Sequence, residues 1–193
     1  IDAMIAESTL VEAVKNTARR IFRRLGEAEA HVHRIALDKV HFHEVGGIDA
    51  IVDIVGAAIG LDYLGINNII ASPIPLGTGF VTCRHGKLPV PAPITLDILR
   101  GAPVYGTDIS HELVTPTGAA IIVTLAERFG TMPDMTMTGI GYGAGQRELE
   151  AGPNLLRVII GTGSETATAS PGEKLEEITA ERDDSPRPSR SRR

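Results

Sequence analysis

The chain has 193 residues, 42% of them hydrophobic, a formal net charge of −5 and a single cysteine, Cys83. Length and apolar content suit one ordinary domain with a real core and argue against a chain disordered throughout. One cysteine excludes an internal disulfide; the negative charge and scarce aromatics argue against nucleic acid as partner, and no apolar run is long enough to span a bilayer.

The chain opens on Ile1-Asp2 without an initiator Met or a legible signal peptide, so an N-terminal part is expected to be missing and the cytoplasm is the expected compartment. Thr9 with Glu12 spells a capping box, and Leu10, Val14, Ala18, Ile21, Phe22 and Leu25 form a helical stripe ending near Gly26. Arg19, Arg20, Arg23 and Arg24 gather toward the end of that helix, where they suit the negative pole of its dipole as a solvated basic face. Residues 27–38 are mixed but carry His31 and His33. These stand so close to His41 and His43 that His33, and less so His31, is a candidate auxiliary metal ligand.

The stretch 40–53, Val-His-Phe-His-Glu-Val-Gly-Gly-Ile-Asp-Ala-Ile-Val-Asp, concentrates the metal-capable side chains. Extended backbone would send His41 and His43 to one face and Glu44 to the other. Gly46-Gly47 interrupts it, and apolar spacing then predicts a helix over 48–64 with Asp49 and Asp53 one turn apart. Two like charges at that spacing cost about 0.2–0.5 kcal/mol, which a divalent cation between them removes. Imidazole with carboxylate suits nickel, zinc, iron or manganese. The ordinary alternative is that Asp49 serves the helix dipole, Asp53 is solvated and the histidines belong to a half-exposed strand.

Residues 68–72 read as a short buried strand, and Pro73, Pro75, Gly77 and Gly79 keep the next stretch out of a central ladder. Residues 80–82 resume an extended pattern that puts Cys83 and His85 on one face, as soft ligands or as a buried thiol beside a turn histidine. The Leu-Pro-Val-Pro-Ala-Pro run at 88–93 predicts a rigid polyproline-like wall before a short helix over 94–99. Lys87 before it either meets a phosphate or merely aids solubility.

Thr115 caps a predicted helix that opens on Pro116 and runs to residue 129. Its free amides, with Thr115, Thr117 and Gly118, suit an anion, although capping alone explains the same residues. Between 139 and 145 every second residue is glycine, including Gly141 and Gly143, so one strand face is bare toward a flat ligand or another strand. No GxGxxG lies between a strand and a helix, and no GxxxxGK[ST] occurs, so dinucleotide and P-loop chemistry are unsupported. Residues 155–160 predict a core strand. Beyond 161 the sequence is polar and reads as a disordered tail. The expected architecture is therefore one α/β domain over 1–161 (α+β being the variant), a mixed sheet flanked by helices, with the tail over 162–193.

His41-Phe42-His43-Glu44-Val45-Gly46, Asp49-Ala50-Ile51-Val52-Asp53, Pro89-Val90-Pro91-Ala92-Pro93, Leu113-Val114-Thr115-Pro116-Thr117-Gly118 and Gly139-Ile140-Gly141-Tyr142-Gly143-Ala144-Gly145 occur together in this order. In this the chain closely resembles the LarC nickel-insertion family across roughly 29–161. The resemblance implies a lyase-class cyclometallase of nickel-pincer cofactor biosynthesis. Such an enzyme inserts Ni2+ into pyridinium-3,5-bisthiocarboxylic acid mononucleotide, depends on CTP, and its product serves enzymes such as lactate racemase. CTP with Mg2+ or Mn2+ is expected to engage a downstream domain that this chain does not recognisably contain.

On this resemblance His41, His43, Asp49 and Asp53 are the expected nickel-handling residues, with Glu44, Cys83 and His85 secondary. Glu44 and Asp53 are the candidate catalytic carboxylates, and Thr115, Thr117, Gly118, Gly141 and Gly143 are expected to cradle the substrate's phosphate and ring. A non-catalytic nickel carrier, a zinc-dependent hydrolase and a scaffold that never meets metal remain the alternatives, and a homo-oligomer is open.

Overall fold

A computed structural model describes residues 1–40, 42, 47–83, 86–149 and 152–163. His41, His43, Glu44, His85 and residues 164–193 lie outside the described residues, and only the backbone of Cys83 is described. The expectation of a disordered tail therefore falls almost wholly outside them.

The organising element is α2 (Glu12–His33), which packs against α1 (Asp2–Glu7), α3 (Ile48–Tyr63), α4 (Pro93–Ile98) and α5 (Pro116–Leu125). The predicted stripe is its buried face: Val14, Ala18, Ile21, Phe22 and Leu25 all lie in the core. Opposite them come Ile54 and Ala58 of α3, Ile94 and Ile98 of α4, and Ala119 and Ala120 of α5. Burying one such Ile or Leu is worth about 1.5–3 kcal/mol, so the facing apolar stripes supply the association energy of the helices. The small Ala119 and Ala120 let α5 approach closely.

Several helix ends differ from expectation, each for a tertiary reason. α2 does not stop near Gly26. That glycine is buried, and a Cβ there would come within 3.1 Å of Leu37 Cδ1, so it serves close packing inside the helix. The stop comes at Arg34, in the left-handed conformation at φ 54°. The Thr9–Glu12 capping box does not form: Val11 occupies the N-cap, and Glu12 instead pairs with Lys15 Nζ at 3.0 Å. The unforeseen α1 shapes this entry, because Ser8 Oγ folds back to donate to the Ile5 carbonyl at 2.7 Å.

The four arginines are spread through the helix middle and act structurally. Arg19 grips Asp2, Arg23 grips Glu27, Arg20 donates to the Thr124 carbonyl, and Arg24 donates to the Ile98 carbonyl. α2 is thereby pinned to α1, α5 and α4 by its own basic side chains.

The class is α/β with both parallel and antiparallel pairing, the strands among the described residues being shared among four two-stranded sheets. β1 (Ile70–Ala71) pairs in parallel with β6 (Arg128–Phe129), and β2 (Ile74–Leu76) in parallel with β5 (Val104–Gly106). β3 (Phe80–Cys83) and β4 (Gly86–Pro89) form one antiparallel hairpin, β7 (Met135–Ala144) and β8 (Leu155–Gly163) another. The pairing of β6 ends α5 at Leu125 rather than 129: Ala126 turns extended and Glu127 N–H donates to the Ile69 carbonyl at 2.8 Å.

The polyproline-like wall is likewise divided. Leu88 and Pro89 belong to β4, the Val90–Pro91 peptide is cis, and Pro93 opens α4. β8 is no core strand. Leu155, Leu156 and Val158 are exposed, and the hairpin it forms with β7 packs against no other described element to a comparable extent. Among the described residues no helix is long and apolar enough to cross a membrane.

Candidate functional site

A cavity of about 550 Å³ opens where the end of α2, the start of α3, the β3–β4 hairpin, the start of α4 and the approach to α5 converge. Its walls are largely apolar, with Val32, Ala50, Val81, Leu88 and Ile94 among them. Its polar side chains are His33, Asp49, Asp53, Glu112, Thr115 and Thr117. Among the described residues no lysine or arginine lines it, and its three carboxylates share the space with the imidazole of His33. The volume falls in the range that accommodates small ligands.

Asp49 and Asp53 arrive as the sequence spacing requires. Gly47 is the N-cap of α3 and makes no side-chain cap bond, Asp49 falls in the first turn and Asp53 one turn later. Both carboxylates are exposed to the cavity, and among the described residues neither has a hydrogen-bond or ion-pair partner. Asp49 gains from the helix dipole, but Asp53 lies beyond the first turn, where that effect has faded. Their mutual repulsion is left uncompensated by any described cation.

His33 reaches the cavity because α2 runs past Gly26 to its last turn. Its Nε2 lies 3.2 Å from Oε2 of Glu29, a carboxylate only 4% exposed. The buried carboxylate of Glu29 thus stands one helical turn behind the imidazole of His33. His31 is elsewhere: its Nδ1 is 2.7 Å from Asp97 Oδ1, which also takes Arg100 Nε at 2.8 Å.

Thr115 is the N-cap of α5, its Oγ1 accepting from the Gly118 N–H at 3.1 Å, with Pro116 in the first helical position. Thr115 and Thr117 line the cavity, so the capped helix start faces it, whereas Gly118 serves the cap. The segment before it is held by an extension of the β2–β5 ladder. Thr107 N–H donates to the Leu76 carbonyl at 2.9 Å and Thr78 N–H to the Ile109 carbonyl at 2.8 Å. An added Cβ on Gly77 would collide with the His111 carbonyl, so only glycine lets the two segments approach this closely. The result places Glu112 at the cavity.

Sequence reasoning passed over Glu112, because an isolated glutamate before a threonine cap carries no spacing signal. Burial pushes its carboxyl above the ordinary glutamate value, the positive charge of Arg147 acting in the opposite sense.

The other sequence candidates are not assembled here. Gly141 and Gly143 sit on the exposed β7–β8 hairpin with open space where a Cβ would be, and neither lines the cavity. Lys87 stands over the Phe80 ring, Nζ 4.6 Å from its centroid. Among the described residues no three His, Cys, Asp or Glu side chains are grouped closely enough to hold a metal ion. Of the expected quartet the structure therefore describes Asp49 and Asp53 alone; His41 and His43, like Glu44 and His85, fall outside the described residues.

The model of a family described as nickel insertion protein matches residues 1–187. The chain belongs to the nickel insertion protein family. Among curated relatives, one from Syntrophotalea carbinolica named "Putative nickel insertion protein" is 60% identical over 162 residues, which is 84% of this chain and 41% of that protein. Proteins of the same printed name from Geotalea daltonii and Geobacter metallireducens are 55% and 56% identical, over 86% and 83% of this chain and 43% and 41% of theirs. The chain thus spans about two fifths of the length of the curated relatives it matches. No solved structure matches it.

Proposed function

We propose that the cavity between α2, α3 and α5 handles Ni2+ as cargo for insertion into pyridinium-3,5-bisthiocarboxylic acid mononucleotide, a CTP-dependent cyclometallation that yields the nickel-pincer cofactor. The observation that carries this reading is the pair Asp49 and Asp53, exposed to the cavity one helical turn apart, with no described partner and no described lysine or arginine lining the space, in a chain of the nickel insertion family. Carboxylate and imidazole donors suit a divalent first-row ion, and exposed donors leave coordination positions open for transfer.

Asp49 and Asp53 take the ion, the paired repulsion between them being relieved as it binds. The capped start of α5, with Thr115 and Thr117, receives the substrate's phosphate through backbone N–H groups and hydroxyls. The apolar wall of Val81, Leu88 and Ile94 flanks the planar ring. CTP and its Mg2+ or Mn2+ belong on this reading to the part of the longer relatives outside the matched region. The product passes in the cytoplasm to apo-enzymes such as lactate racemase.

Calorimetry of Ni2+ binding by the chain beside Asp49→Asn/Asp53→Asn tests the assignment. Saturable binding that weakens at least tenfold in the double variant is expected; equal affinity for both proteins would remove nickel from this cavity. Product formed with substrate and CTP distinguishes an insertion enzyme from a carrier that only delivers the ion.

A further inference from the structure

We propose that Glu112 is the proton acceptor of this cavity, the group that takes the ring hydrogen as the carbon–nickel bond forms. The inference rests on the nickel-insertion reading and adds to it a residue and a role.

Three observations support it. First, Glu112 lines the same cavity as Asp49, Asp53 and the start of α5, but from the segment preceding that helix rather than from α3. Second, it is not grouped with the α3 carboxylates and His33 closely enough for them to hold one ion together. Glu112 thus reaches the cavity from a different segment than the α3 pair. Third, it is half-buried and, among the described residues, makes no hydrogen bond or ion pair, the charge of Arg147 acting on it from beyond ion-pair distance. Its partial desolvation makes the carboxylate a stronger base than an exposed one, in keeping with its position. The backbone that carries it is held firmly by the Thr107–Leu76 and Thr78–Ile109 hydrogen bonds and by the close passage of Gly77.

The step balances without an oxidant or reductant. The ring C–H bond breaks, its electron pair becomes the carbon–nickel bond, and the proton passes to a Glu112 oxygen and then to solvent. Nickel stays divalent throughout, and with Thr115 and Thr117 on its phosphate the ring would lie in the cavity that Glu112 and the α3 carboxylates both line.

The test uses the chain joined to the CTP-binding remainder of a longer relative, with Ni2+, the bisthiocarboxylate mononucleotide, CTP and Mg2+. It follows single-turnover insertion and also deuterium uptake at the ring carbon in D2O, which reports proton removal without a completed turnover. Glu112→Gln should slow both by about 10²–10⁴-fold. Glu112→Asp should recover part of the loss, and nickel affinity should stay within twofold in both variants, with thermal melts confirming folding. Exchange and insertion at the wild-type rate in Glu112→Gln would overturn the proposal while leaving the nickel reading intact. So would wild-type protein that binds nickel and substrate yet never exchanges the ring hydrogen. Loss of nickel affinity in Glu112→Gln would make the residue a ligand and equally overturn it. Absence of nickel binding to the wild-type cavity would instead strike the reading on which it rests.

Discussion

The helical body and the β7–β8 hairpin are both built from regular apolar patterns, yet only one becomes a core. In the body, Ile21, Leu25, Ile54 and Ile98 are wholly buried because four helices offer apolar stripes to one another. In the hairpin, β7 and β8 pair over nearly their whole length, yet Ile140, Tyr142 and Leu156 remain exposed because no other described element covers them. Backbone pairing and side-chain burial are separate sources of order, and the cavity sits where both are present. Helices provide its carboxylates and a capped N-terminus, and the short β2–β5 ladder places Glu112.

The largest test of this contrast is packing. Ile54→Ala should cost about 2–5 kcal/mol in denaturant unfolding, since it leaves a void where α3 packs against α2 and α5. Loss below about 1 kcal/mol would mean that α3 is not held by its core face. Next comes charge at the cavity: Asp53→Asn should weaken nickel binding about 10–100-fold by calorimetry, whereas Gly141→Ala on the hairpin should leave it unchanged. A hairpin substitution that matched the aspartate would join the two regions functionally.

Thr115→Ala, which removes the cap of α5, should cost about 0.5–2 kcal/mol and weaken binding of the substrate mononucleotide. Stability lost without any change in substrate affinity would leave the helix start a cap alone. Glu112→Gln should act in the opposite direction. Because burial raises the folded-state pKa of Glu112 above the ordinary 4.5, folding is favoured while the group is protonated and loses that advantage as pH rises through the raised value. The glutamine variant should therefore melt slightly above wild type at about pH 7 and level with it near pH 4; a variant less stable at both would show that the carboxylate is structural. Smallest of all, Leu156→Ala should fall within about 0.5 kcal/mol of wild type, as an exposed side chain does.

Asp2 supplies a pH effect of the opposite sign. Its hydrogen-bonded pairing with Arg19 holds its carboxyl below the ordinary value. The α1–α2 clasp therefore contributes above the unfolded aspartate pKa and is lost as pH falls through the lowered one. At so exposed a position the effect is modest.

Local spacing by itself determined the buried stripe of α2, the α3 helix with Asp49 and Asp53 one turn apart, and the Thr115-Pro116 start of α5. Each depends on periodicity or on a cap within three or four residues, which a linear pattern expresses directly. What it did not express is long-range. Gly26 reads as a helix stop but serves close packing against Leu37, and α5 ends early because Arg128–Phe129 finds Ile70–Ala71 as a partner. The alternating glycines at 139–145 lie on the hairpin rather than in the cavity. His33 gained its position from the extension of α2, one turn beyond a buried glutamate. Glu112 joined the site only because the Leu76–Thr78 and Thr107–Ile109 segments are zipped together, an approach that Gly77 permits. The sequence by itself determined which helices form and which carboxylates share a face; the tertiary structure alone decided which residues meet across the cavity, because that depends on contacts between segments remote in the chain, which no short-range pattern encodes.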